Sequence, residues 1–145
     1  MLRYLSSNRI LLQQEIKQRE QVIRAAGNLL VEDLCAKPEY VDAMVQLVDE
    51  MGPYIVVAPG VALAHARPEE GAVKEAISLV TLSTPVYFGH PDNDPVDIIF
   101  GVSATSADKH LELMSLIANC FQQQGFACKL RSTKDVTTLM EEIPC

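Results

Sequence analysis

The chain has 145 residues, of which 48% are apolar, and carries a formal net charge of −7 from 19 acidic and 12 basic residues. This length predicts one domain spanning 1–145, and the acidic balance argues against a nucleic-acid partner, because phosphate contacts need a basic surface. A docking partner is expected to be basic. No apolar run approaches the roughly 18 residues that a membrane-spanning helix needs, and the first residues lack the apolar core of a signal peptide.

Two helices are predicted in the first third of the chain, after a segment with only a weak signal for a short strand or helix around residues 10–12. Apolar residues recur with helical spacing between about residues 17 and 35; they are Val22, Ile23, Ala26, Leu29, Leu30 and Leu34. Pro38 suits the first turn of a second helix, where its missing N–H does no harm, and Gly52-Pro53 ends that helix. The stripe of the second helix is Tyr40, Val41, Met44, Leu47, Val48 and Met51.

The middle of the chain is predicted to form strands joined by turns. Short apolar runs rich in β-branched residues predict strands over 54–58, 61–64, 76–82 and 96–104. Pro59-Gly60 separates the first two, and Pro85 is expected to separate the third from a short extended piece at 86–88. The run at 96–104 is almost wholly apolar, which predicts a central strand covered on both faces.

Two further helices are predicted in the last third. Ser106 or Asp108 can cap the first of them, and its core stripe is Leu111, Met114, Ile117, Ala118 and Phe121. Ser132, with Asp135 three residues later, is close to a capping box for the last helix, whose inner face is Val136, Leu139, Met140 and Ile143. This order of elements predicts an α/β sandwich with helices packed against one sheet.

The cysteines and acidic residues show no metal-binding pattern. Cys35, Cys120, Cys128 and Cys145 contain no C-x-x-C pair, so we expect reduced thiols rather than a zinc knuckle or a thioredoxin-type motif. No H-x-H or H-x-x-x-H pair favours zinc, and the acidic stretch at 92–97 lacks the glycine and final glutamate of an EF-hand loop. We therefore expect neither a metal ion nor a cofactor.

Two of the three histidines are candidates for chemistry. His65 directly follows an apolar run and precedes a charged loop, which is an unfavourable place for a purely structural residue. His110 is in phase with the core stripe of its helix and so points towards the sheet from a helix N-terminus, a place that suits an anion. If the strand at 96–104 ends beside His65, the two imidazoles converge at one sheet edge. His90, in the turn-rich GHPDNDP, is predicted to be an ordinary turn residue.

Phosphoryl transfer is the chemistry that best fits an isolated histidine in this setting. With an ordinary pKa of about 6.5, imidazole is largely neutral and nucleophilic at pH 7, so it can accept a phosphoryl group and pass it on. Such transfer depends on positioning and on stabilisation of charge. Arg67 is a candidate clamp for phosphate oxygens; its alternative role is a surface ion pair with Glu69 or Glu70.

The combination of these segments is specific enough to resemble a known family. The chain resembles the enzyme IIA components of the bacterial phosphoenolpyruvate-dependent sugar phosphotransferase system, in the mannitol/fructose class, and most of all the ascorbate-type branch. The supporting segments are GPYIVVAPGVALAHARPEEG at 52–71, SLVTLSTPVYF at 78–88, DNDPVDI at 92–98 and the helix that carries His110.

The resemblance implies a mixed β-sheet flanked by helices and an enzyme that carries phosphate on a histidine. His65 matches the family's phosphoryl acceptor, which becomes a tele-phosphohistidine, and His110 matches its supporting histidine. HPr would donate the phosphate, and a cognate IIB component would accept it, on a cysteine in the ascorbate branch. The chain would therefore work in the cytoplasm beside a membrane-embedded IIC transporter for ascorbate or a related substrate.

Two positions depart from the family pattern. Ala64 stands where the family usually has a proline directly before the active histidine, which removes one backbone restraint. Asp49 stands where the mannitol branch has an active-site arginine, about sixteen residues before that histidine. We therefore expect Arg67 to supply the missing positive charge.

Two other functions are compatible with the sequence. The first is a regulatory module of the same fold, in which phosphorylation of His65 adds charge that controls docking to a regulator. The partner distinguishes this module from a phosphocarrier. A partner that is a transport component would accept the phosphate from His65, whereas a partner that is a regulator would only bind. The second is a metal hydrolase that uses His65, His90 and His110 and would hold metal in stoichiometric amount.

Overall fold

The structure is a computed structural model that describes residues 1–143. Its strands are β1 (Leu5–Gln14), β2 (Val56–Ala58), β3 (Val61–Ala64), β4 (Ala76–Val86) and β5 (Val96–Ser103). Its helices are α1 (Arg19–Glu32), α2 (Pro38–Met51), α3 (Ala107–Phe121), α4 (Phe126–Ser132) and α5 (Val136–Glu142), with one 3-10 turn over Pro68–Glu70.

The strands form one mixed sheet in the order β1-β4-β5-β3-β2. β1 is parallel to β4 and β3 is parallel to β5, whereas the β4–β5 and β2–β3 pairs are antiparallel. β5 is therefore the central strand, as its apolar sequence predicts. Because β3 and β5 are parallel and pair Ala64 with Gly101, both strands end at the same edge of the sheet.

Helices cover both faces of the sheet, which confirms the predicted sandwich. α1 and α2 pack on one face around a core that includes Met44 and Ile99. α3, α4 and α5 pack on the other face around Phe100, Ile117 and Leu139. Successive residues of β5 enter opposite cores because side chains alternate along a strand.

The predicted helix ends are mostly confirmed. Pro38 lies at the first position of α2, and Gly52 ends that helix with a φ of 84°, a left-handed conformation that glycine adopts without strain. Ser106 caps α3, where its hydroxyl accepts a hydrogen bond from the backbone N–H of Lys109 at 3.2 Å. This satisfies one of the N–H groups that a helix start leaves without a partner in the helix.

The end of the chain differs from the prediction. The helix α4 was not predicted, and Ser132 closes it rather than capping the helix that follows. Asp135 caps α5 instead, and its carboxylate accepts from the backbone N–H of Thr138 at 3.1 Å. Helices this short have too few residues for a periodic pattern to stand out from the flanking turns.

Two strands are longer than predicted and one is shorter. β1 has 10 residues where the sequence shows only a weak signal, and β4 continues through Pro85 instead of stopping before it. Proline is tolerated there because the β4–β5 register shifts between Thr81 and Val86. β2 begins only at Val56, since Tyr54 is still in the turn after α2 and its N–H donates to the carbonyl of Gly52.

Several residues of the predicted apolar stripes lie on the surface. Leu34 follows the end of α1 with a φ of 59° and is 77% exposed. Met51 and Leu111 are 62% and 66% exposed, and Ala118 is exposed as well. The buried face of α3 consists instead of Leu113, Ile117 and Cys120.

The cysteines do not all behave as expected. Cys35 is a buried free thiol and Cys128 is an exposed one. Cys120 is disulfide-bonded, so the expectation of a reduced thiol is wrong at that position. The prediction for Cys145 lies outside the described residues. None of the helices within 1–143 is long and apolar enough to cross a membrane.

Candidate functional site

His65 lies where the sheet opens to solvent. The four residues of β3 that precede it are all buried, and their apolar side chains hold the strand between the two cores. Ala64 is the last of them, and its pairing with Gly101 of β5 keeps it in the ladder. His65 follows directly and is half-buried. The end of β3 therefore presents one imidazole at the sheet edge.

His110 reaches the same edge from the neighbouring strand. β5 ends at Ser103, and Ser106 caps the helix α3 that places His110 in its first turn. The ring centroids of His65 and His110 lie 4.9 Å apart with an angle of 58° between the rings. The predicted convergence of the two imidazoles is thus present. His110 is half-buried beside the inner face of α3.

A hydrogen bond determines which nitrogen of His65 is nucleophilic. Nδ1 of His65 lies 2.6 Å from the carbonyl oxygen of Leu63. A carbonyl oxygen can only accept, so Nδ1 carries the proton and donates it. In a neutral imidazole, Nε2 then holds the free lone pair. The structure therefore presents His65 with Nε2 as its nucleophilic atom.

Both imidazoles are poised to be neutral. Burial lowers the pKa of His65 below its ordinary value of 6.5, and the nearby His110 lowers it further, although the hydrogen bond to the carbonyl of Leu63 opposes this change. Burial also lowers the pKa of His110. Burial and the neighbouring ring both disfavour the charged imidazolium. Near pH 7 the site therefore holds two uncharged rings.

The two histidines line a shallow cleft of about 280 Å³. Tyr54 forms one wall, and its ring meets the His65 ring edge-on with centroids 5.6 Å apart. The cleft is lined by Leu47, Met51, Tyr54, His65, Ala66, Arg67, Pro68, Ala107 and His110. The walls are mainly apolar, and the first residue of α3, Ala107, is part of them. Such a cleft strengthens electrostatic contacts to a bound anion because water is partly displaced.

Arg67 lines the cleft and also forms a weak ion pair. Its guanidinium lies 3.5 Å from the carboxylate of Glu70, and its side chain is 61% exposed. An exposed pair of this length contributes little to stability, so it leaves the guanidinium able to reorient. Asp49 lies elsewhere, 3.4 Å from Arg19, and it does not line the cleft.

His90 is not part of the cleft. It lies in the turn between β4 and β5, where its Nδ1 accepts the backbone N–H groups of Asp92 and Asn93 at 3.1 Å. This places it at the start of β5, opposite the end that leads to His110. Within residues 1–143 no three histidine, cysteine or acidic side chains lie together as a metal site would require.

Three residues of this region have places that their sequence patterns do not predict. The sequence predicts Tyr54 in a strand, Met51 in the core and Tyr40 in an ordinary apolar stripe. The hydroxyl of Tyr40 lies 2.7 Å from the carbonyl of Val102 and 3.2 Å from the backbone nitrogen of Ala66, next to His65. The phenol group at an otherwise apolar position was the available signal, because a buried hydroxyl needs a partner.

Comparison with known proteins identifies the family of this chain. The family described as "Phosphoenolpyruvate-dependent sugar phosphotransferase system, EIIA 2" matches residues 3–144. A relative from Salmonella choleraesuis, named "Ascorbate-specific PTS system EIIA component", is 38% identical over 138 residues, which cover 94% of this chain and 90% of the relative.

Two solved structures have the same fold. The mannitol-specific cryptic phosphotransferase enzyme IIA CmtB from Escherichia coli has a TM-score of 0.83 and 28% identity, covering 95% of this chain and 92% of its own. The complex of mannitol enzyme IIA with phosphorylated enzyme IIB from Escherichia coli has a TM-score of 0.84 and 22% identity, covering 94% of each chain. The chain thus belongs to the type 2 enzyme IIA family of the phosphoenolpyruvate-dependent sugar phosphotransferase system.

Proposed function

We propose that this chain accepts phosphate on Nε2 of His65 from phosphorylated HPr and passes it to a cysteine of a cognate IIB component. The observation that supports this most directly is the hydrogen bond from Nδ1 of His65 to the carbonyl of Leu63 at 2.6 Å. It leaves the lone pair of Nε2 free for attack. The whole chain, 1–145, works as one IIA domain in this proposal.

The two transfers are in-line displacements at phosphorus. In the first, the Nε2 lone pair of His65 forms the new N–P bond, and the N–P bond to the donor histidine breaks with its electron pair staying on the donor. In the second, a thiolate of IIB attacks the same phosphorus, and the electron pair of the breaking bond returns to Nε2. His65 is thereby restored, and no cofactor or metal takes part.

His110 and Arg67 stabilise the transferred phosphoryl group in this proposal. The His110 ring lies 4.9 Å from the His65 ring, close enough for its N–H to reach a phosphoryl oxygen on Nε2. Arg67 lines the same cleft and would exchange its weak contact with Glu70 for a charge-assisted contact with the phosphate. Preorganised donors of this kind stabilise charge that develops during transfer.

An apolar rim around the cleft is suited to protein partners. The rim consists of Met51 and Tyr54, two large side chains that line the cleft and remain exposed at the surface. Methionine and tyrosine are enriched in the cores of protein interfaces. We infer that HPr and IIB dock on this rim in turn, because both must bring a reactive atom to His65.

The ascorbate assignment rests on sequence similarity. The Salmonella choleraesuis relative is named ascorbate-specific and is 38% identical over most of both chains. We therefore place this chain in the ascorbate-type branch, working in the cytoplasm with a IIC transporter in the membrane for ascorbate or a related substrate. The chain itself would contact HPr and IIB rather than that substrate.

Phosphate labelling tests the acceptor. The protein is mixed with phosphoenolpyruvate, enzyme I and HPr, and we expect one acid-labile phosphate per chain on Nε2, located by nuclear magnetic resonance. His65→Ala should abolish the label. His90→Asn is the matched control, since its amide oxygen can still accept the turn N–H groups, and it should label fully. Labelling of His65→Ala would overturn the assignment.

Transfer to IIB tests the place in transport. Labelled protein is mixed with a purified ascorbate-type IIB or a mannitol-type IIB, and the label on each chain is followed over time. We expect rapid transfer to the ascorbate-type IIB and slow transfer to the other. Preferential transfer to the mannitol-type IIB would overturn the branch assignment. Phosphate that stays on His65 with both would favour the regulatory alternative.

A further inference from the structure

The hydroxyl of Tyr40 connects three backbone groups next to the site. Tyr40 lies in α2 and has 0% of its surface exposed. Its hydroxyl donates to the carbonyl of Val102 at 2.7 Å and accepts from the N–H of Ala66 at 3.2 Å. The carbonyl of Ala66 also lies 3.2 Å away. A buried phenol needs such partners. Phenylalanine would fill the same apolar space without them, so packing alone does not require a tyrosine here.

These contacts fix the peptide groups on either side of Ala66. The Ala66 N–H belongs to the peptide bond that directly follows His65, and the Ala66 carbonyl belongs to the peptide bond before Arg67. Val102 belongs to β5. The residue before it in that strand, Gly101, pairs with Ala64. The hydroxyl therefore ties the backbone immediately after His65 to the central strand. This restricts the backbone torsions that set where the His65 ring points.

The far end of the same loop is also attached to α2. The N–H of Lys37 donates to the carbonyl of Gly71 at 2.8 Å. Gly71 has a φ of 128°, and a Cβ added there would lie 3.2 Å from both the backbone N and the Cβ of Tyr40. The loop from Ala66 to Gly71 thus rests against the start of α2 at both ends.

We propose that Tyr40 is a positioning residue for phosphoryl transfer. Its hydroxyl holds the backbone at Ala66, which keeps Nδ1 of His65 on the carbonyl of Leu63 and Nε2 towards the cleft. This role rests on the proposed function, in which His65 is the acceptor. Tyr40 lies outside the cleft lining and acts only through the backbone.

The hydroxyl stays protonated under working conditions. Burial raises the pKa of Tyr40 to about 12, so the phenol keeps donating to Val102 across the neutral range.

Tyr54 has a different role from Tyr40, because its ring meets the imidazole of His65 directly. The two tyrosines therefore contribute differently: Tyr54 packs against the ring, and Tyr40 holds the backbone that carries it.

The test is Tyr40→Phe, which removes the hydroxyl and keeps the ring. The ¹⁵N spectrum of the His65 ring should show a larger fraction with Nδ1 unprotonated. The kcat for phosphate acceptance from phosphorylated HPr should fall by about tenfold or more, because small misplacements are expensive in such reactions. The KM for phosphorylated HPr should stay unchanged, since the apolar rim is untouched.

Thr81→Val is the matched control. It also removes a buried hydroxyl that contacts the backbone, here the N–H of Gln13 at 2.9 Å. Thr81 pairs with Ile98, in the half of β5 away from Val102. It should lower thermal stability without changing the ring spectrum or kcat. Equal changes of ring spectrum and kcat in both variants would reduce Tyr40 to a merely structural residue and overturn the proposal.

Amide exchange at Ala66 and the His65 ring spectrum test the positioning role independently of phosphate transfer. In the wild-type protein, the amide of Ala66 should exchange slowly with solvent because it is buried and hydrogen-bonded; exchange at the rate of an open loop would overturn the proposal even if Tyr40→Phe does not fold. If wild-type His65 takes no phosphate, the proposed function fails, while the ring spectrum of Tyr40→Phe still decides the positioning role. An unchanged ring spectrum and kcat in Tyr40→Phe would refute it.

Discussion

The imidazole rings of His65 and His110 lie 4.9 Å apart at the edge of the sheet. They come from different elements, one from the end of β3 and one from the first turn of α3. Two charged imidazoles at this separation would repel each other in a partly buried place, so the site favours neutral rings. Neutral rings suit both expected roles. His65 needs a free lone pair to attack phosphorus, and His110 can donate an N–H to a phosphoryl oxygen without being charged.

The first prediction concerns the pH dependence of phosphate acceptance. Because the pKa of His65 is lowered from 6.5, more than half of the His65 rings should keep the lone pair on Nε2 at pH 6.5. We expect the initial rate of labelling by phosphorylated HPr at pH 6.5 to stay above half of its value at pH 8. The ring titration of His65, followed by nuclear magnetic resonance, should have its midpoint below 6.5. A midpoint above this value would contradict the structure.

The second prediction is that acidification destabilises the fold through the same two histidines. The pKa values of His65 and His110 are lower in the folded protein than the ordinary 6.5, so between the folded pKa and 6.5 the unfolded chain binds more protons. Stability is therefore fully present above 6.5 and is lost as the pH falls through that window. Urea unfolding at several pH values measures this, and His65→Gln with His110→Gln should flatten the slope just below 6.5.

The third prediction concerns His110. His110→Ala should still bind phosphorylated HPr with wild-type affinity, because it leaves the apolar rim in place. Phosphate transfer should slow by on the order of a hundredfold, the usual effect of losing one preorganised donor. His110→Gln, which restores an N–H donor, should recover part of the rate. Single-turnover labelling separates binding from transfer, and full-speed transfer in the alanine variant would make His110 a packing residue.

The fourth prediction concerns Arg67. Arg67→Ala should slow transfer to and from His65 by about tenfold to a hundredfold, because a positive charge near the phosphoryl group is lost. Its stability should change by less than about 1 kcal/mol, since the pair with Glu70 is exposed. Arg24→Ala is the control: Arg24 also forms exposed ion pairs, on α1 outside the cleft. An unchanged transfer rate in Arg67→Ala would exclude the clamp.

The fifth prediction concerns the sheet beneath the site. A Cβ on Gly101 would collide with the hydroxyl of Ser78 and lie 3.0 Å from the carbonyl of Ala26. Gly101→Ala should therefore destabilise the protein by about 1–3 kcal/mol, the usual cost of overpacking. Adding Ser78→Ala removes the worst contact, so the double variant should be more stable than the sum of the single effects. Urea unfolding of all four proteins measures the coupling.

Much of the fold was predictable because its local patterns are strong. The stripes of α1 and α2 and the apolar run of β5 follow from helical and strand periodicity in the sequence. The failures are local too. Leu34 and Leu111 are apolar residues at helical spacing that nevertheless face solvent, because periodicity does not tell where a helix stops or how it is rotated on the sheet. The helix α4 was missed because seven residues contain too little pattern.

The candidate site was predictable only in part. His65 and His110 could be selected because each is an unusual residue for its position, and Arg67 because it follows His65 closely. Tyr40 and Tyr54 could not be placed in the site, because a phenol in an apolar run signals that its hydroxyl needs a partner but does not show which residues it contacts. Their roles depend on contacts with Ala66, Val102 and the His65 ring that are distant in sequence.

The sequence by itself determined the residue types: a histidine at the end of an apolar strand, a second histidine in the first turn of a capped helix, and the amphipathic helices that cover the sheet. The tertiary structure decided how they work together. The parallel pairing of Ala64 with Gly101 brings the ends of β3 and β5 to one edge, and the carbonyl of Leu63 decides which nitrogen of His65 is free. Both depend on strand register and backbone geometry, which hydrophobic periodicity does not encode.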